Sequence, residues 1–185
     1  WKQATGLASS GYEVSLVCPW SVNRGLSREG VRLNPFARVH RRAWRPFLIP
    51  VRLLRCLLPL LRRVDIVHFH DIDILPWMAL VSLFKTVVYD VHENYPEEML
   101  SRDWIPKVVR KPLYHVVDGF ERALAWCIRN VVLVVPSQAP RFSGRRLRTI
   151  QVRNYASSAL LPAVRDDYMS RPDTVIFTGS GYESN

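Results

Sequence analysis

The sequence has little cysteine, and none of it is spaced as in a metal site. The three cysteines (Cys18, Cys56 and Cys127) lie far apart, and no two of them form a CxxC pair. An odd number of distant cysteines argues against a disulfide framework and against a zinc finger. The same pattern favours a protein of a reducing compartment.

Acidic residues are missing from a long stretch of the chain. Between Glu29 and Asp65 there is no Asp or Glu, whereas nine arginines occur there. With a net charge of +10, the chain is expected to meet an anionic partner such as nucleic acid, phospholipid or a phosphorylated substrate. A helix predicted over 45–63 gathers five arginines on the side opposite its leucines. They are Arg45, Arg52, Arg55, Arg62 and Arg63. This face is either an ordinary solvated surface or one that meets anionic lipid.

A long uninterrupted apolar run is also missing. The longest apolar region, 46–61, contains Arg52 and Arg55. Since a transmembrane helix needs about 20 predominantly apolar residues, this region is too short to span a bilayer unaided. We therefore expect at most a peripheral contact with a membrane.

Apolar strands alternate with helices along most of the chain. Strands are predicted over 13–18, 64–70, 86–91, 131–135 and 147–152, with a short one at 30–36. Helices are predicted over 45–63, 74–85 and 107–130, and a further one opens at YPEEML. This order predicts an α/β fold: a Rossmann-like parallel sheet with helices on both faces. Residues 1–153 form the predicted domain, 154–173 a linker rich in Asn, Ser, Pro and charge, and 174–185 the start of another domain.

Polar clusters follow two of the predicted strands, at the point where each strand ends. They are HFHDID at 68–73 and DVHENYPEE at 90–98. In parallel α/β sheets, ligands bind in the crevice outside the carboxyl ends of the strands. Histidine and carboxylate side chains there can hold phosphate or sugar hydroxyl groups. The candidate site residues are His70, Asp71, Asp73, Asp90, His92 and Glu93.

Two other functions compete with this interpretation. His68 and His70 lie on one strand face, as in a metal-dependent hydrolase, but zinc needs at least one more protein ligand and no suitably spaced one is visible. We therefore predict no metal site, with His68 as a hydrogen-bonded strand residue. A basic nucleic-acid-binding module would explain the charge, but the arginines lie beside leucines rather than aromatic stacking residues.

The polar clusters and their flanking strands resemble a known family. The segments DIVHFHDIDILPWMAL and TVVYDVHENYPEEML follow GYEVSLVC and precede ERALAWCIRNVVLVVPS and IQVRN. Together they resemble the N-terminal domain of a family 4 (group 1) glycosyltransferase of the GT-B fold. The resemblance covers nearly the whole chain, and the order of the two clusters with one helix between them is its most specific part.

The resemblance implies an enzyme that transfers a sugar, with retention, from a nucleotide-sugar donor to a lipid-linked or polysaccharide acceptor. It implies no cofactor, no obligatory metal and no nucleic acid, and a hexosyltransferase-type role in the cell envelope at the cytoplasmic face of the membrane. Residues 1–153 would be the acceptor-side domain without its first strand, and 174–185 the start of the nucleotide-sugar domain. Such a fragment is expected to be inactive alone. His92 is expected to reach the donor sugar, and the other candidates to bind substrate.

Overall fold

The computed structural model describes residues 2–20, 27–37, 39 and 45–152. The chain divides into two units, Trp1–Arg153 and Asn154–Asn185. The second unit lies outside the described residues, and so do the predicted linker and the predicted strand that follows it.

The first unit alternates helices and strands as the sequence pattern indicates. Its α-helices are α1 (Lys2–Ser9), α2 (Arg45–Leu60), α3 (Leu75–Val81), α4 (Tyr95–Ser101) and α5 (Lys107–Ile128). Its strands are β1 (Val14–Trp20), β2 (Ser27–Arg28), β3 (Val31–Ala37), β4 (Ile66–Phe69), β5 (Thr86–Val91), β6 (Asn130–Leu133) and β7 (Arg148–Gln151). Two short 3₁₀ helices, Ile72–Ile74 and Pro136–Phe142, complete the described elements.

The strands form two sheets. In the first, with order β1-β3-β2, the β1–β3 pair is parallel and the short β2 is antiparallel to β3. In the second, with order β4-β5-β6-β7, all neighbouring pairs are parallel. The parallel pairs with intervening helices confirm the predicted α/β, Rossmann-like class.

The core lies around β5 of the second sheet. From Val87 to Val91 this strand is almost entirely buried, because helices cover both faces of a parallel sheet. Leu75 and Met78 of α3 and Ala125 and Ile128 of α5 belong to the same apolar cluster. The continuous apolar run of β5 is why its predicted and observed bounds coincide.

The element ends differ from the prediction where proline intervenes. The helix predicted over 45–63 ends at Leu60, directly after Pro59, but it continues through Pro50. A proline inside a helix removes one backbone hydrogen bond, and packing of the apolar face offsets that loss here. The helix predicted over 74–85 is shorter, since a 3₁₀ turn precedes Leu75 and the last turn opens after Val81.

No helix within the described ranges is both long enough and apolar enough to cross a membrane. This finding agrees with the expectation from the apolar region at 46–61.

Candidate functional site

The two polar clusters meet at the carboxyl edge of the second sheet. The strands β4 and β5 pair in parallel, with His68 beside Val88 and Phe69 beside Tyr89. This register places Asp90 level with His70, one residue beyond the end of β4. His92 then follows directly after β5. The structure therefore brings together residues that lie more than 20 positions apart in the sequence.

A single buried carboxylate oxygen joins the histidines of this edge. Asp90 has no exposed surface, and its Oδ2 lies 3.1 Å from His68 Nε2 and 3.2 Å from His92 Nε2. His70 Nδ1 lies 3.4 Å from the same oxygen, and of the three histidines only His68 meets hydrogen-bond geometry with it. Gln3 of α1 donates to it through Nε2 at 2.8 Å. We call these five residues the Asp90 cluster.

The Asp90 cluster favours the ionised carboxylate. Burial alone would raise the pKa of Asp90, but the polar contacts from His68, His70 and Gln3 and the charge of His92 hold it well below its usual range. The second oxygen, Oδ1, is buried and has no hydrogen-bond partner among the residues that the structure describes. A buried acceptor in this state typically costs about 1–3 kcal/mol. The contacts described for this carboxylate are thus all made by Oδ2.

The structure changes the position expected for Asp90. The sequence placed it among the substrate contacts, and the structure shows that its side chain has no exposed surface. The side chains of His70 and His92 beside it are 43% and 34% exposed. His68 is hydrogen-bonded, as the sequence predicted.

An acidic rim lies beside the Asp90 cluster. Burial, followed by the charge of Asp71, raises the pKa of Asp73. Burial and the neighbouring carboxylates of Glu98 and Asp71 likewise raise the pKa of Glu93. These mutual effects place the predicted residues Asp71, Asp73 and Glu93 at one edge. In a chain of net charge +10, this edge is locally negative.

A metal could in principle use part of the Asp90 cluster. His68, His70 and Asp90 offer one ligand atom each, all within 4.8 Å of one another. The sequence argued against a metal because a third ligand was missing, and Asp90 removes that reason. Oδ2 of Asp90 already accepts from His68 and Gln3, so a cation bound at this oxygen would displace the amide hydrogen of Gln3. The contacts at Oδ2 are those of a hydrogen-bonded cluster.

A second buried network lies behind the edge, and sequence reasoning missed it. Glu121 of α5 is fully buried, accepts from Tyr89 Oη at 2.7 Å and pairs with Arg141 Nη2 at 2.6 Å. Arg141 also contacts Asp118 at 2.7 Å and donates to Asn94 Oδ1 at 3.0 Å. Asn94 lies two residues after His92, so this network supports the loop that carries the candidate residue.

A weak signal for this network exists in the sequence. Glu121 lies four residues before Ala125 and seven before Ile128, on the face of α5 that is buried. A charged residue on an apolar helix face needs a partner. Its partner Arg141 lies 20 positions further on, in a 3₁₀ helix that no periodicity predicted.

The five arginines assigned to a lipid-facing surface do not share one role. Arg52 donates to the carbonyl of Ala37 and so holds β3 against α2. Arg55, Arg62 and Arg63 are exposed, as predicted. The side chain of Arg45 lies outside the described part of the chain.

Comparison with known proteins identifies the family. The sequence model described as Glycosyltransferase Family 4 matches residues 2–156, which is most of the chain. No curated protein and no solved structure matches the sequence. The matched range contains both polar clusters, the strands that place them at one edge and the Asp90 cluster itself. The chain therefore belongs to glycosyltransferase family 4.

Proposed function

We propose that this chain forms the acceptor-side half of a retaining glycosyltransferase. The donor is a nucleotide-sugar of the hexosyl type, and the acceptor is a lipid-linked or polysaccharide chain of the cell envelope. No resident metal or cofactor takes part in the transfer. The observation that carries the proposal is the carboxyl edge, where exposed imidazoles and carboxylates of two parallel strands stand side by side.

The chemistry of this edge suits a sugar whose anomeric carbon becomes positive. In glycosyl transfer, the bond to the leaving diphosphate breaks and positive charge develops on the sugar ring. Asp71 and Glu93 give the edge a negative field that favours such charge. Imidazole and carboxylate groups can also hold sugar hydroxyls in one orientation, which lowers the entropic cost of the reaction.

The negative charge of this edge also affects where the rest of the donor can bind. A diphosphate carries negative charge and would be repelled by Asp71, Asp73 and Glu93. We therefore assign the diphosphate to residues away from this edge, and the sugar ring and acceptor hydroxyl to the edge. The leaving diphosphate takes the acceptor proton, so no protein base is needed.

His92 provides the main test of this proposal, in the full-length enzyme. We expect His92→Ala to lower kcat roughly a hundredfold or more with a smaller change in donor KM. Losing one preorganised contact made mainly in the transition state typically costs about 2.7–4 kcal/mol. His115, an exposed histidine on α5, gives the matched control, and His115→Ala should leave both constants unchanged. A His92→Ala enzyme with near-normal kcat and intact folding would contradict the assignment.

Asp71 separates the two substrates. Its side chain makes no cap hydrogen bond to the 3₁₀ helix that follows, so a purely local structural role is not apparent. We expect Asp71→Ala to act mainly on acceptor KM. An effect confined to donor KM would contradict this assignment, because it would place Asp71 at the donor site instead of the acceptor site.

We also propose that α2 meets an anionic membrane surface, at the cytoplasmic face. Its inner side packs Leu53, Leu54 and Leu57 against the core. Its outer side exposes apolar side chains, with Phe47 68% and Leu58 59% exposed. Counted at about 100° per residue, Arg55 lies on the same side as these two, and the exposed Arg62 and Arg63 follow in the turn after the helix. Apolar side chains flanked by arginine are typical of helices that lie in a membrane interface.

Vesicle binding tests this surface. The triple change Arg55→Gln, Arg62→Gln and Arg63→Gln should weaken binding to anionic vesicles by roughly a hundredfold at low salt, since each basic residue contributes about 1 kcal/mol. The control removes the same charge elsewhere, through Lys107→Gln, Lys111→Gln and Arg145→Gln. Equal losses in both variants would show a general charge effect and would contradict a specific role of α2.

A further inference from the structure

An open cavity lies at the amino edge of the second sheet, the end opposite the Asp90 cluster. The strands β5, β6 and β7 run parallel, so their amino ends meet at this edge. The cavity is lined by residues 82–87 around the start of β5, residues 127–130 around the start of β6, and Arg148, the first residue of β7. Its volume of about 580 Å³ is within the usual range for small-molecule sites.

The charged residues of this cavity are all basic. Lys85, Arg129 and Arg148 line it, and no Asp or Glu does so among the residues that the structure describes. Lys85 donates to the carbonyl of Val64 at 3.0 Å, which uses one of its three hydrogens. The side chains of Arg129 and Arg148 are exposed, and within the described ranges neither has an ion-pair or hydrogen-bond partner. Cations gathered around one cavity without a counter-charge favour an anionic ligand.

Arg129 has a backbone conformation that an arginine adopts only at a cost. It follows the last residue of α5 with a φ of 73° and a ψ of −33°. Glycine is the usual residue with positive φ at the end of a helix, because it has no Cβ to clash. Non-glycine residues in sparsely populated backbone regions cluster at functional sites. The arginine at this position therefore indicates a use for its guanidinium group.

One wall of the cavity is apolar and open to solvent. Leu83 and Phe84 line it, with 71% and 83% of their surface exposed. An exposed aromatic ring can stack against a flat organic group, and an arginine can bind two phosphate oxygens at once. A cavity that combines these features suits a molecule with phosphate groups and an organic part.

We propose that this cavity binds a small soluble organic diphosphate, such as a nucleoside diphosphate, through Arg129 and Arg148. A diphosphate has enough oxygens for both guanidinium groups. The cavity is distinct from the donor site at the carboxyl edge. The two ends of β5 are about 17 Å apart, since a strand rises about 3.3 Å per residue, whereas the sugar and the diphosphate of one donor are directly bonded. This second site does not depend on the proposed function.

Isothermal titration calorimetry on the 185-residue chain tests the site, with adenosine diphosphate and pyrophosphate as probes. Salt at about 150 mM screens non-specific attraction to a chain of net charge +10. We expect adenosine diphosphate to saturate one site and pyrophosphate to compete with it. No saturation by about 1 mM adenosine diphosphate would overturn the proposal.

Two substitutions test the residues that hold the ligand. Arg129→Gly and Arg148→Gln should each weaken binding by about tenfold or more, because each removes a guanidinium group that contacts phosphate. Arg129→Gly also relieves the backbone strain, so its melting temperature should be at least that of the unmodified chain. Weaker binding by this variant then does not reflect unfolding. Unchanged affinity in either folded variant would overturn the proposal.

The control removes two charges elsewhere on the same sheet-covering helix. Lys107→Gln and Lys111→Gln together change the opposite end of α5, about 27 Å from Arg129 at about 1.5 Å per helical residue. We expect this double variant to bind adenosine diphosphate as the unmodified chain does. A loss equal to that of the combined Arg129→Gly and Arg148→Gln variant would show a general charge effect and would overturn the proposal.

Nuclear magnetic resonance locates the bound probe. In the ¹⁵N-labelled chain, adenosine diphosphate should shift the amide signals of residues 82–87 and 127–130 and leave those of 91–94 unchanged. Shifts confined to 91–94 would overturn the proposal. Binding seen only with phosphate groups on anionic vesicles, and not with the soluble probe, would make this edge a lipid contact and would also overturn it. None of these results depends on whether the full-length enzyme transfers a sugar.

Discussion

Two neighbouring residues of β5 belong to two different networks, each built around a buried carboxylate. Tyr89 and Asp90 are adjacent, so their side chains leave opposite faces of the sheet. Tyr89 reaches Glu121 of α5, while Asp90 itself accepts from His68 of the carboxyl edge and from Gln3. Both carboxylates are fully buried, yet their surroundings differ.

The difference lies in how the two oxygens of each carboxylate are used. Glu121 has Tyr89 on one oxygen and Arg141 on the other, so it is satisfied on both sides and has a permanent counter-charge. Asp90 makes its contacts through Oδ2, and within the described part of the chain Oδ1 has no hydrogen-bond partner. Fully satisfied networks rigidify a core, whereas open polar groups are typical of functional sites. The first network thus joins β5, α5 and the 3₁₀ helix that carries Arg141, and the second holds His68 and Gln3 at the carboxyl edge.

The largest expected loss of unfolding free energy comes from disrupting the network around Glu121. Arg141→Met leaves Glu121 buried without its counter-charge, which typically costs about 3–5 kcal/mol of unfolding free energy. Urea unfolding measures this loss. Arg122→Met is the matched control, because Arg122 is 54% exposed and its removal leaves Asp118 paired with Arg141. Ion pairs of exposed side chains contribute at most about 1 kcal/mol. Similar losses in the two variants would show that the network around Glu121 is not special.

A smaller effect is expected from the tyrosine of the same network. Tyr89→Phe removes the hydroxyl that donates to Glu121 and leaves one carboxylate oxygen unsatisfied, at a cost of about 1–3 kcal/mol. Tyr114→Phe, on the same sheet-covering helix as Glu121, controls for loss of a tyrosine hydroxyl. A Tyr89→Phe chain as stable as the control would mean that Arg141 alone satisfies Glu121.

A third effect concerns the pH dependence of stability and the Asp90 carboxylate. The pKa of Asp90 is lower in the folded chain than its unfolded value of about 3.9. The ionised carboxylate therefore stabilises the folded state relative to the unfolded state. This contribution is complete above about pH 5 and is lost as the pH falls towards the folded pKa. We expect the stability difference between the unmodified chain and Asp90→Asn to narrow between about pH 5 and pH 2. A difference that is constant across this range would contradict the lowered pKa.

Some elements were predictable because their signal is local. The strand at 86–91 is a continuous apolar run, and its bounds were found without the structure. The long helix after residue 107 has an amphipathic pattern over many turns and was placed to within two residues at its end. The two-residue strand Ser27–Arg28 and the 3₁₀ helix Pro136–Phe142 were missed, because neither is long enough to show a period.

The candidate site was likewise predictable only where its features are local in the sequence. The sequence alone determined that His70, Asp71, Asp73, His92 and Glu93 end two strands of one parallel sheet, because strand ends and polar clusters are both local features. It could not determine that Asp90 is buried and bound to His68, since that depends on the register of two strands. Nor could it find Gln3, 87 positions from Asp90, or Arg141, 20 positions from Glu121. Such partners are chosen by packing between distant elements, and only the tertiary structure decides which side chains share a buried charge.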